Sequence, residues 1–144
     1  MAGIYIHIPF CASRCIYCDF YSTTLRGKAQ EYVDAVLKEY QQRSDFLPKG
    51  EPLRTVYIGG GTPSQLPAKE LARLIDGIIS SSTNISIEEL TIEANPEDIT
   101  EEWAETIMSG LTQTPSHPDT LTPSHLRISM GVQSLIDSEL RLLN

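Results

Sequence analysis

Apolar positions along this chain switch between two periods. Ile4, Ile6 and Ile8 fall on one face of an extended segment, with Tyr5 and His7 on the other, which predicts a strand over Gly3–Ile8. From about Lys28 to Arg43 the spacing becomes helical, and Ala29, Tyr32, Val33, Val36, Leu37 and Tyr40 share a stripe. Those tyrosines read as core packing. Arg54–Ile58 is a second strand that runs into Gly59, Gly60 and Gly61, and a helix near Pro67–Ser80 carries Leu71, Leu74, Ile75, Ile78 and Ile79. Glu89–Ala94 is a third strand. Thr100 then reads as an N-cap, Glu101 and Glu102 suit the helix dipole, and Gly110 reads as the C-cap. Leu126–Gly131 is a fourth strand, and a last helix starts near Asp137. Strands separated by crossover helices predict an α/β fold with about four parallel strands.

The carboxyl ends of these strands gather the polar candidates. Cysteines follow strand one, glycines follow strand two, Glu93 closes strand three and Gln133 follows strand four. Barrels and open α/β sheets build their sites at that end. Cys11, Cys15 and Cys18 are the only cysteines of the chain. The odd count and tiny intervening loops argue against disulfides. A structural zinc site needs four ligands, and His7 is the nearest candidate for a fourth, although it reads better as a satisfied polar group. An iron–sulfur cube held by three cysteines keeps one iron open to a small molecule. The glycines admit backbone close to a ligand, and Thr62 adds a hydroxyl. No Lys-Ser/Thr pair follows them, which excludes a triphosphate P-loop. Glu93 shares a face with Thr91 and suits ribose hydroxyls or an ammonium group.

The 144 residues are 40% hydrophobic and 21% charged, as in ordinary globular domains. A net charge of −8 speaks against a general nucleic-acid surface. No apolar run reaches the roughly 20 residues that span a bilayer, and the N-terminus lacks the features of a signal peptide. Reduced thiols then suit the cytoplasm.

The run Tyr5-Ile-His-Ile-Pro-Phe-Cys11-x3-Cys15-x-Tyr-Cys18-Asp-Phe20 resembles the cluster loop of radical S-adenosylmethionine proteins. It is most similar to that of the oxygen-independent coproporphyrinogen III oxidase family. Gly-Gly-Gly-Thr-Pro-Ser, Ile-Glu-Ala-Asn-Pro-Glu and Arg-Ile-Ser-Met-Gly-Val-Gln-Ser resemble further motifs of that family, in the same order. The resemblance implies the N-terminal part of a partial (β/α)6 barrel. It implies a [4Fe-4S] cluster on Cys11, Cys15 and Cys18. It also implies S-adenosylmethionine contacts from Tyr5, Tyr17, Gly60, Gly61, Thr62, Glu93 and Gln133, and reductive cleavage of the sulfonium to a 5′-deoxyadenosyl radical. Asp19-Phe20 after Cys18, without a further cysteine, and the early start of the strand resemble the heme chaperone branch, which binds heme and hands it to hemoproteins. The rival readings are the porphyrinogen-decarboxylating oxidase and a non-functional fragment. Heme-binding and specificity residues are expected downstream.

Two departures from the family pattern stand out. The chain stops before a full barrel, so residues 1–144 read as a truncated core domain with an unpaired edge at strand four. Residues 111–125 read as an inserted Pro/Ser/His loop. There Thr114-Pro-Ser-His117 repeats as Thr122-Pro-Ser-His125, and Pro115, Pro118 and Pro123 rule out a continuing helix. Its histidines read as parts of a solvated loop rather than metal ligands.

Overall fold

The computed structural model describes residues 2–43, 45–47, 49–112 and 122–143. Among the described residues four strands form one parallel sheet: β1 (Ala2–Ile8), β2 (Leu53–Gly60), β3 (Ile85–Ala94) and β4 (Leu126–Met130), in the order β1-β2-β3-β4. Between them run α1 (Ala29–Gln42), α2 (Ala68–Ser81) and α3 (Glu101–Thr112), and α4 (Asp137–Leu143) follows β4. This is the α/β arrangement that the alternating periods predict.

Alternation divides the sheet into an apolar and a polar face. Ile6, Ile8, Val56, Ile58, Leu90 and Ile92 are buried in one core with Val33 of α1, Leu71, Leu74, Ile75 and Ile78 of α2, and Trp103 and Ile107 of α3. Burying a side chain of this size contributes about 1.5–3 kcal/mol, so the helix-covered face supplies most of the driving force. Tyr5, His7, Tyr57, Thr91, Glu93 and Ser129 occupy the alternate positions. In register, Tyr5 pairs with Tyr57, Tyr57 with Thr91, and Glu93 with Ser129. The polar side chains thus line up across the sheet on the face that a barrel turns inward.

Some boundaries differ from the sequence expectation, for physical reasons. β2 does not stop at Ile58: His7 pairs with Gly59 and Ile8 with Gly60, so two of the glycines belong to the strand. β3 begins four residues earlier than expected. Thr100 is the predicted N-cap, its Oγ1 accepting from the Trp103 N–H at 3.1 Å. Gly110 is not the C-cap, because α3 continues to Thr112. A Cβ on Gly110 would lie 2.7 Å from the Cβ of Ala72, so glycine is required there by the α2–α3 contact. α3 therefore claims the first two positions of the expected 111–125 loop, and Pro123–His125 form a 3-10 turn before β4. The first Thr-Pro-Ser-His copy, residues 114–117, lies outside the described residues. The tyrosines of α1 do pack on the core, and their hydroxyls also bond. Tyr32 donates to the His7 carbonyl, and Tyr40 lies 2.7 Å from Ser82 Oγ.

Candidate functional site

A cleft of about 760 Å³ opens at the carboxyl ends of the four strands. Its lining includes Cys11, Cys15, Cys18 and Tyr17 from the loop after β1, and Gly60, Gly61 and Thr62 from the end of β2. Glu93 and Asn95 come from the end of β3, and Gln133 from the segment after β4. Every candidate site residue named from the sequence lines this cleft except Tyr5. Tyr5 stands further back on the polar face of β1, with its ring centroid 6.0 Å from that of Tyr57.

The cysteine loop is pinned at both ends. The Cys11 N–H donates to the Thr23 carbonyl at 3.0 Å, and the Thr23 N–H donates to the Pro9 carbonyl at 2.7 Å. His7 reaches into the loop, 2.9 Å from the Tyr21 carbonyl. A carbonyl only accepts, so Nε2 carries the proton and Nδ1 is left to accept from the Tyr5 hydroxyl at 3.0 Å. Both ring nitrogens are thereby engaged, which leaves His7 a satisfied polar group rather than a fourth metal ligand.

All three cysteines are free, Cys11 buried and the other two half-buried. Among the described residues, no three of His, Cys, Asp and Glu converge on a single-ion site. An iron–sulfur cube offers each thiolate its own iron, and three free thiols on one loop beside a cleft are the donor set that a cube with one open iron would use. The backbone beside them is shaped to match. Gly60 has φ +120°, a conformation L side chains rarely adopt, and a Cβ there would stand 2.7 Å from His7 Nδ1. A Cβ on Gly61 would stand 3.0 Å from Cys11 Sγ. The glycine run lets β2 close against the cysteine loop.

Glu93 is held from two sides. Tyr57 donates its hydroxyl to Oε1 at 2.6 Å, and the Gly60 N–H donates to Oε2 at 3.1 Å. It is not a free solvated charge at a strand end. The bond to Glu93 raises the Tyr57 pKa above its usual value, with burial second. Burial, followed by the charge of Glu93, raises that of Tyr5. A hydrogen bond with Cys15 raises that of Tyr17, with burial next.

Two contributors were missed from the sequence. Tyr57 lies two residues before Gly59, on the face of Tyr5 and Thr91, so alternation alone could have found it. The other is a clasp between the loops after β2 and β3. Ser64 donates to Asp98 Oδ2 at 2.5 Å and accepts from the Asn95 N–H at 3.1 Å, while Gln65 Nε2 lies 2.7 and 2.8 Å from the two Asp98 oxygens. The clasp fixes the glycine loop relative to the segment after Glu93. No local sequence signal announces it, because its partners are more than 30 residues apart.

Comparison with known proteins agrees with this geometry. The model of the Radical SAM superfamily matches residues 5–138. The heme chaperone HemW of Lactococcus lactis is 36% identical over 138 residues, covering 95% of this chain and 32% of the relative. HemW of Escherichia coli is 33% identical over 143 residues, covering 98% and 34%. A solved structure, coproporphyrinogen III oxidase (HemN) from Escherichia coli, described as a radical SAM enzyme, superposes with a TM-score of 0.71 at 28% identity. It covers 97% of this chain and 30% of its own. The chain spans about a third of the length of these relatives. Both branches suggested by the motifs are thus represented among them. With the family model matching nearly the whole chain and the three thiols, the glycine loop and Glu93 sharing one cleft, this chain belongs to the radical SAM superfamily.

Proposed function

We propose that this chain holds a [4Fe-4S] cluster on Cys11, Cys15 and Cys18, binds S-adenosylmethionine beside it, and serves a cytoplasmic heme chaperone that delivers heme to hemoproteins. The single observation that carries this reading is the convergence of the three free thiols and the ends of β2, β3 and β4 on one cleft. The cluster, when bound, supplies one-electron chemistry and an iron with no protein ligand. The residues of the chain bind and orient. Gly60, Gly61 and Thr62 bring backbone close to the ligand. Glu93, steadied by Tyr57 and Gly60, offers carboxylate oxygens to hydroxyl or ammonium donors. Tyr17 and Gln133 border the same space, and Tyr5 approaches from behind. The chaperone assignment is supported by Asp19-Phe20 after Cys18 and by the HemW relatives. Among the described residues, no helix is long and apolar enough to cross a membrane.

A second reading, porphyrinogen oxidation, is favoured by the HemN structure. Anaerobic reconstitution of the chain tests the cluster, and the behaviour of a protein of the relatives' length separates the two branches. About four iron and four sulfide per chain and S-adenosylmethionine binding are the results expected of the chain, and stoichiometric heme transfer without turnover is expected of a protein of the relatives' length that carries it. A zinc-only or metal-free product would overturn the cluster assignment. Decarboxylation of coproporphyrinogen III by that longer protein, measured as released carbon dioxide, would overturn the chaperone assignment.

A further inference from the structure

Thr62 is fixed against the cysteine loop by more than its side chain. Its N–H donates to the Phe10 carbonyl at 2.8 Å, and the N–H of Gly61 donates to the Ile8 carbonyl at 2.7 Å. These two bonds hold the Thr62 hydroxyl 3.5 Å from Cys11 Sγ, an ordinary separation for a hydrogen bond to the larger sulfur atom. Cys11 is the buried cysteine of the three, with 7% of its surface exposed. In the free thiol either atom can donate. A thiolate bound to metal carries no proton, so only the hydroxyl can then donate.

We propose that Thr62 tunes the cluster's readiness to accept an electron, by donating its hydroxyl to the Cys11 thiolate. The proposal rests on the reading above that Cys11 ligates the cluster. Thr62 is a positioning residue here, acting through Cys11 rather than on a reacting atom. When an external reductant such as dithionite supplies one electron, the cluster and its sulfur ligands become more negative. No bond breaks and no proton leaves the hydroxyl. A hydrogen bond to a ligating sulfur stabilises the reduced state more than the oxidised one and raises the potential. Burial of Cys11 strengthens the effect, since water does not compete for the sulfur.

The experiment is a potentiometric titration of the reconstituted full chain, followed by the electron paramagnetic resonance signal of the reduced cluster, with S-adenosylmethionine absent. The variants are Thr62→Val, which keeps the shape and removes the hydroxyl, and Thr62→Ser, which keeps the hydroxyl and removes the methyl. We expect Thr62→Val to be about tenfold harder to reduce, a midpoint lower by about 59 mV for one electron, and Thr62→Ser to stay near the unchanged chain. If Thr62→Val does not retain iron, Thr62→Ala takes its place and is read the same way. Equal midpoints with and without the hydroxyl would overturn the proposal. So would a fall in Thr62→Ser as large as in the hydroxyl-free variant, which would trace the effect to packing. Failure of the underlying function reading looks different: the unchanged chain would then hold no iron and sulfide at all.

Discussion

Replacing Gly61 by alanine places a methyl group where β2 meets the cysteine loop. The added Cβ would stand 2.9 Å from the Pro9 carbonyl carbon, 3.0 Å from the Ile8 carbonyl oxygen and 3.0 Å from Cys11 Sγ. The first two are backbone atoms at the end of β1, tied to this loop by the Gly61 N–H bond to Ile8 at 2.7 Å, so they cannot swing aside as a side chain would. Overpacking of this kind costs about 1–3 kcal/mol. For a chain of this size each kcal/mol lowers the melting temperature by roughly 2–4 °C. Gly27 provides the control, since a Cβ there meets nothing within 4 Å. Gly27→Ala should leave stability unchanged or raise it by about 0.4–1 kcal/mol, through the lower entropy of the unfolded chain. Thermal unfolding of the metal-free chain, followed by circular dichroism, measures both variants. Iron content after reconstitution then reads the second consequence, displacement of Cys11. A Gly61→Ala protein that melts with the unchanged chain and holds as much iron would refute the reasoning.

Other outcomes follow from the same contacts. Because its neutral form donates to Glu93, Tyr57 should titrate above the usual value of about 10, and Glu93→Gln should bring it back down in an absorbance titration. A pKa raised on folding means that this bond contributes stability below about pH 10 and loses it as pH climbs through the raised value. Tyr57→Phe should weaken S-adenosylmethionine binding several-fold by calorimetry, because Glu93 keeps the Gly60 N–H alone; unchanged affinity would remove Tyr57 from the site. Ser64→Ala deprives the Asn95 N–H of its acceptor and Asp98 of a donor, at a cost of about 1–3 kcal/mol. Amide hydrogen exchange should accelerate at Asn95, and protection equal to that of the unchanged chain would deny the clasp a role.

What could be read from the sequence was set by local rules, and what could not was set by distant partners. The alternation of Ile4, Ile6 and Ile8 with Tyr5 and His7 needs only the pleat of a strand. The stripe of Leu71, Leu74, Ile75, Ile78 and Ile79 needs only the helical period. Those two rules place the cysteines, glycines, Glu93 and Gln133 at one end of a parallel sheet before any coordinate is known. Gly59 and Gly60 looked like a loop because glycine is a poor strand former. They belong to β2 because His7 and Ile8 pair with them. Gly110 looked like a cap, yet it lies within α3, where Ala72 of another helix leaves no room for a side chain. The Ser64–Asp98 clasp depends on two loops that meet only in the folded chain. Thr62 was legible as a candidate from its motif. That its hydroxyl faces Cys11 was not, because it follows from backbone bonds to Ile8 and Phe10, some fifty residues earlier.

Three cysteines would leave one iron of a cube for a small molecule. Mössbauer spectroscopy of the chain reconstituted with iron-57 tests it most directly. We expect a [4Fe-4S] spectrum in which one iron site alone changes its parameters when S-adenosylmethionine is added, and the loss of that cluster when Cys11, Cys15 or Cys18 is replaced by alanine. A spectrum in which no site responds to S-adenosylmethionine, or a cluster that survives those replacements, would contradict it.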